Sequence, residues 1–355
     1  MKKIIALGFV PVFLFACTSK SPNPMSITVE DTNYKDWNSL MEIEEVIPLQ
    51  DTNFTPKLSV ANKCIVGEQQ ILFWDYKAKL VYAYNTKGNY LFTVGGIGRS
   101  DKEYVDICDV AFSPTQKEIH ILDRSGIKIY DAHSGLFLNK RLFEGIDISS
   151  VQGFLPCEEN SYLIFTPNNE YSICMVDSIN HLIPLRKRNG YQMKYNRFNR
   201  SNSQYMVLPD YGNFTIDCIQ GDNIMPAYTI DLGGSALPKG MIPNDYESFV
   251  QVDDSKEYFK VILDYYENRG YVYASMVGPN QTYYDLIYDK ANGKAYVGPH
   301  EEYTNIVYTG MDNEYLYGLV YLDYVKSESP YYDTFSHYIE QGTHNPLIVK
   351  IKLRT

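Results

Sequence analysis

Several kinds of chemistry are scarce in this chain of 355 residues. Histidine occurs six times, tryptophan twice and cysteine six times. No two cysteines form a Cys-x-x-Cys unit and no histidine stands at zinc-finger spacing from one, so no zinc site is written locally. Positive charge is in short supply. There are 32 Lys and Arg against 43 Asp and Glu, a net charge of -11, and the densest basic run is Arg186-Lys187-Arg188. Nucleic acid is therefore excluded as a default partner. Gly95-Gly96-Ile97-Gly98 lacks the Gly-Lys-Ser/Thr ending of a phosphate loop, and no Gly-x-Ser-x-Gly elbow occurs. Helical periodicity is nearly absent, and long apolar runs are limited to one at the N-terminus.

That run, Ile4 to Ala16, follows Lys2 and Lys3 and precedes Cys17. A basic start and a short apolar stretch have the form of a secretory signal. As a helix the run spans about 20 Å, short of a bilayer core of ~30 Å. Leu14-Phe15-Ala16-Cys17 resembles a bacterial lipobox, with Phe15 bulkier than the usual occupant. The resemblance implies a signal peptide over 1–16, lipidation at Cys17 and a polar tether over 17–40. The mature protein would then sit at the outer membrane, on its periplasmic side or at the cell surface, held by lipid through Cys17. An ordinary cleaved signal with a chance cysteine is the alternative. Cys64, Cys108, Cys157, Cys174 and Cys218 remain; strand-like flanks suggest buried free thiols, and one disulfide is the other possibility.

With 45% hydrophobic and 21% charged residues, the rest is a folded body. Ile71–Asp75, Leu80–Tyr84 and Asn89–Val94 are short β-prone runs, with Asn85–Gly88 as a hairpin turn. Ile119–Asp123 and Ile127–Asp131 repeat the pattern, with Asp123 equivalent to Asp75. Further units open near residues 161, 204, 270 and 315, so the intervals run from 42 to 48 residues with one of 66. About four strands per unit at that spacing indicate a β-propeller blade. The expected fold is all-β, a six-bladed β-propeller of four-stranded antiparallel blades over 41–355, with an insertion near 237–257. Glu45–Leu49 and Pro346–Ile351 are candidates for a shared closing blade. A β-sandwich followed by an α+β domain is the alternative architecture.

From Val46 to Leu353 the chain resembles the six-bladed β-propeller lipoproteins of Bacteroidetes, related in architecture to NHL-repeat propellers. The resemblance rests on Ile47-Pro48-Leu49, Tyr84-Asn85, Lys87-Gly88-Asn89-Tyr90-Leu91, Tyr228 to Gly233 with Leu237-Pro238, and Asn345 to Val349. Where the family has a Gly-Pro-Gly-Glu-Tyr-like turn, this chain keeps Glu103-Tyr104 and loses the Pro-Gly pair. The resemblance carries no catalytic motif, and no cofactor or metal is expected.

Two residue sets remain as candidates for function. Asp101, Glu103, Asp106 and Asp109 form a candidate acidic loop, and paired carboxylates at a channel could hydrolyse a glycoside. Tyrosine is abundant, at 33 residues. Strand alternation such as Tyr271-Val272-Tyr273 marks many as packing residues. Tyr331 and Tyr332 beside Pro330, with Tyr265, Tyr266 and Trp37, are the candidates for stacking on a sugar or anchoring a protein. The leading expectation is a non-catalytic binding or scaffold propeller whose partner is an outer-membrane protein or a glycan. A carbohydrate-active hydrolase or lyase is the alternative.

Overall fold

A computed structural model describes residues 24–193, 196–201, 204–254, 256–300 and 306–354. Cys17 lies outside them. The first strands in the chain are β1 (Met25–Thr28) and β2 (Met41–Pro48), joined through the short helix α1 (Trp37–Leu40). Blade 1 follows as β3 (Ala61–Val66), β4 (Gln70–Asp75), β5 (Val81–Asn85) and β6 (Tyr90–Val94). Blade 2 is β7 (Ile107–Phe112), β8 (Glu118–Asp123), β9 (Gly126–Asp131) and β10 (Phe137–Arg141). Blade 3 is β11 (Gly153–Pro156), β12 (Tyr162–Phe165), β13 (Tyr171–Val176) and β14 (Leu182–Lys187). Blade 4 is β15 (Phe198–Ser201), β16 (Gln204–Val207), β17 (Thr215–Gln220) and β18 (Asn223–Asp231). Blade 5 is β19 (Val261–Glu267), β20 (Tyr271–Val277), β21 (Tyr283–Asp289) and β22 (Lys294–Pro299). Blade 6 joins the two ends of the chain: β23 (Ile306–Met311), β24 (Tyr315–Val320) and β25 (Leu347–Leu353) pair in order, and β2 adds outside β25. The repeat read from sequence follows the second strand of each blade.

Alternation explains why one strand serves two seams. Ile71 and Phe73 of β4 pack toward blade 6, while Leu72 packs toward blade 2. In blade 2, Ile119 and Ile121 face blade 1 and Leu122 faces blade 3. Both faces of a blade are covered, so its strands read as continuous apolar runs. The result is one hydrophobic core in each of six seams and a smaller one under the insertion.

The insertion is the connection from β18 to β19. It contains the helix α2 (Tyr246–Asp253), capped by Asp245, whose side chain accepts from the Ser248 backbone N–H at 2.8 Å. Phe249 stacks on Tyr191 with ring centroids 4.7 Å apart. A third helix, α3 (Tyr332–Glu340), lies between β24 and β25 in a stretch that reads as loop.

The tether boundary at residue 40 needs correction. From Met25 onward the chain belongs to the body: β1 lies parallel to β18 as a fifth strand of blade 4, and Ile27 is fully buried. The Tyr34 backbone N–H then donates to the Val297 carbonyl at 2.8 Å, and Trp37 is buried in the seam of blades 5 and 6. Gly298 permits this approach, because a Cβ there would stand 2.0 Å from the Tyr34 carbonyl oxygen. The Asn85–Gly88 turn forms as read, with Gly88 at φ +80. Cys64, Cys157, Cys174 and Cys218 are buried free thiols, and burial pushes that of Cys64 up to about 12.

Ring closure depends on β25, which pairs with β24 on one side and β2 on the other. Ile351 is fully buried there, whereas Lys352 points to solvent. Ile351→Ala is expected to cost about 2–5 kcal/mol and Lys352→Ala under ~0.5 kcal/mol, read from urea unfolding midpoints. Equal effects would contradict this account of the closure.

Candidate functional site

Antiparallel blades send alternate connections to opposite ends of the disc. First-to-second and third-to-fourth strand turns share one end and are two to five residues long among the described residues. The other end carries the second-to-third and blade-to-blade connections, including 49–60, 95–106, 142–152, 232–260 and 321–346. Both α2 and α3 are therefore on that second, loop-rich face. The first strand of each blade starts there and lines a central channel of about 1500 Å³.

Local irregularities decide which side chains enter the channel. The pairing register shifts between Ala61 and Lys63 in β3, between Ile107 and Asp109 in β7, and between Ile262 and Asp264 in β19. A bulge of this kind turns the next side chain to the other face of the strand. Lys63, Asp109 and Asp264 each follow one, and all three line the channel. Asp109 Oδ1 accepts from Lys63 Nζ at 2.8 Å and from the Val110 N–H at 2.8 Å. Its Oδ2 accepts from the Phe154 N–H at 3.1 Å, so one carboxylate ties blades 1, 2 and 3 together.

Asp264 is different. Protein rings it, yet part of the side chain still faces the channel interior. Burial pushes its carboxyl up to about 6; hydrogen bonds from Asn196 and Tyr266 and the Lys63 charge pull the other way without cancelling that effect. A carboxyl so raised can exchange a proton near neutral pH.

The candidate acidic loop does not assemble. Asp101 is exposed and 3.9 Å from Lys140, while Asp106 pairs with Arg124 at 3.3 Å. Glu103 accepts from the Ser100 N–H and hydroxyl at 3.0 and 2.8 Å, closing its own loop, and Tyr104 next to it is buried and donates to the Val94 carbonyl. Only Asp109 of the four reaches the channel. Among the described residues no group of three His, Cys, Asp or Glu side chains is placed to hold a metal ion. Asp75 and Asp123 are structural: Asp75 accepts from the Ala78 N–H at 2.7 Å and Asp123 from the Ser125 N–H at 2.8 Å, each locking the turn after its strand.

The aromatic candidates are also redistributed. Trp37, Tyr265, Tyr266 and Tyr331 are buried, at 2%, 1%, 8% and 9% exposure, so they pack seams and do not form a stacking surface. Tyr265 donates to Glu267, Tyr266 stacks on Tyr273 with centroids 5.8 Å apart, and Tyr331 sits in the core of blades 5 and 6. Tyr332 is half-buried at the start of α3. Six other aromatic side chains are the exposed ones among the described residues: Phe54, Tyr76, Tyr171, Tyr246, Tyr283 and Tyr324. Every one lies in a connection or at a strand start on the loop-rich face. Sequence reading missed them because burial of a ring depends on which end of which strand it occupies. Tyr76, directly after the repeat residue Asp75, was the one with a usable signal.

A family profile described as 6-bladed beta-propeller matches residues 17–320. The chain belongs to that family. No curated protein matches the sequence. Among solved structures, a candidate exported protein from Bacteroides fragilis superposes with a TM-score of 0.76 at 14% identity, over 93% of this chain and 100% of that one. A member of the duf4221 family from Bacteroides vulgatus gives 0.57 at 11% identity, over 89% and 99%. At such identities the likeness concerns the fold alone.

Asp264 links stability to pH. An unfolded aspartate titrates near ~3.9, so the folded state binds the proton more tightly between that value and about 6. Its contribution is most favourable below this window and is lost as pH rises through it. Asp264→Asn should therefore gain roughly 2–3 kcal/mol relative to the parent between pH 4 and pH 7.5, read by denaturant unfolding at both. A difference that does not change with pH would contradict the assignment.

Proposed function

We propose that this protein is an extracytoplasmic, lipid-anchored binding propeller that engages its partner through the loop-rich face. The observation that carries this reading is the segregation to that face of all six aromatic side chains that are exposed among the described residues. Aromatic side chains provide large contact area at low conformational cost, and leaving them in water on one side of a rigid ring favours an interaction site there. Long connections held on a rigid frame are where binding residues concentrate. The address rests on Lys2, Lys3, the apolar run and Cys17 in the sequence, and β1 lies on the outer rim of blade 4.

The hydrolase reading draws on Asp264, whose raised carboxyl suits a general acid. It needs a second carboxylate to act as base or nucleophile. Asp109 is a poor one, since Lys63 and two backbone N–H groups already occupy its oxygens. Glu267 and Asp312 also line the channel and are likewise engaged, Glu267 by Tyr228, Tyr265 and Lys290, and Asp312 by the Tyr317 hydroxyl and the Glu314 and Tyr315 N–H groups. Binding is therefore the better-supported function.

The test places a photo-crosslinking residue at Tyr246 or Tyr324 on the loop-rich face, and at Leu136 or Ile179 on the short-turn face, in the full chain expressed in its own cells. Adducts are expected from the first pair and not from the second, in the membrane fraction. Cys17→Ala should move the protein to the soluble fraction. Adducts from the short-turn face alone would overturn the binding assignment, and membrane retention of the Cys17 variant would overturn the anchor.

A further inference from the structure

A second, smaller cavity of about 430 Å³ opens beside the channel mouth, at the seam of blades 1 and 2. Its walls are Asn62, Trp74, Tyr76, Lys77, Lys79 and Asp106, with Ile107 at its base. The volume falls within the range of small-ligand sites, roughly 300–1,000 Å³. Trp74 is the tryptophan that is not buried: one side packs on the core of blades 1 and 2 and the rest faces the cavity. Asn62 is the extra residue of the bulge in β3, which aims its amide into the space.

The cations are the informative part. Lys77 and Lys79 are exposed and, among the described residues, make no ion pair, although the chain is strongly acidic overall. Asp106 is neutralised by Arg124 at 3.3 Å, so the cavity has a positive balance. The turn that carries the lysines is fixed from below: buried Asp75 accepts from the Ala78 N–H at 2.7 Å, and the Lys79 N–H donates to the Asp75 carbonyl at 3.0 Å. Lys79 itself has φ 55, a left-handed conformation that glycine or asparagine adopts more readily. Two exposed lysines without ion pairs among the described residues, beside a half-exposed indole, have the form of a ligand contact.

We infer that this cavity binds an acidic saccharide, with a sugar ring on the Trp74 face, its carboxylate or sulfate on Lys77 and Lys79, and hydroxyl groups on Asn62 and Asp106. The indole offers a flat apolar surface to ring C–H groups, the amide and carboxylate suit hydroxyls, and the paired ammonium groups select the negative charge. The inference rests on the reading of the loop-rich face as a binding face.

Intrinsic fluorescence gives a direct test, because the only other tryptophan, Trp37, is buried in the distant seam of blades 5 and 6. The purified full chain is titrated with trigalacturonate, with a chondroitin sulfate disaccharide and with maltotriose. A saturable change with an acidic probe is expected, retained in Trp37→Phe and lost in Trp74→Phe. In Lys77→Ala/Lys79→Ala, a surface change that leaves the core intact, the Kd should rise at least ~10-fold, about 1.4 kcal/mol. Both acidic probes carry a carboxylate, so a response to trigalacturonate supports carboxylate recognition and a response to the sulfated disaccharide alone supports sulfate recognition by the lysines. No response to either, an unchanged Kd in the double variant, or equal binding of maltotriose overturns the inference. Crosslinking from Tyr246 and Tyr324 is read independently, so failure of the cavity is distinguishable from failure of the face.

Discussion

The pairing of β25 with β2 is the contact on which the rest of the molecule depends. Six sheets packed side by side leave two outer blades with bare apolar faces unless the ring closes. Here the C-terminal strand enters blade 6 between β24 and the N-terminal β2, so the last sheet is built from both ends of the chain. Its backbone bonds hold Ile348 against blade 1 and Ile351 against blade 5. Without that strand, two of the six seam cores would lose a wall. The N-terminal segment reinforces the arrangement from outside, since β1 adds to blade 4 and Trp37 fills the seam next to β2.

Closure also sets the geometry of function. Once the blades are radial, strand direction alone determines that the first-to-second and third-to-fourth turns lie on one face and every long connection on the other. The inner strands become channel walls, and small register shifts in three of them bring Lys63, Asp109 and Asp264 into the lumen. Two of those charges are paired in holding blades 1 to 3 together, whereas burial raises the carboxyl of Asp264. The lumen thus carries an electrostatic tie between blades, and the loop-rich face carries the exposed aromatic side chains of the described residues.

Much of the fold was legible in the sequence because a blade repeats. Asp75 and Asp123 recur at the same point, and the apolar runs around them mark second strands whose two faces are both covered. The shared closing blade was legible from Glu45–Leu49 and Pro346–Ile351, since unpaired extended segments at both ends of a propeller have one place to go. The site was far less legible. Trp37, Tyr265 and Tyr331 look like surface aromatics among polar neighbours, but seam packing between blades recruits residues distant in sequence. Asp109 looked like one of four loop acids; a bulge separates it from the others and turns it inward. Bulges leave little mark on a single sequence, so the channel charges could not be picked out. The segment 25–40 reads as a polar tether because only alternate residues, such as Ile27, are buried in its short strand.

The central claim is that the loop-rich face is the one in contact with a partner. Hydrogen exchange read by mass spectrometry, on the protein in its native envelope and again after purification, tests it most directly. The account predicts that amides in 49–60, 95–106 and 321–346 are slower to exchange in the envelope, while those in the turns 132–136 and 177–181 are unchanged. Protection confined to the short turns, or identical exchange in both preparations on the loop-rich face, would contradict it.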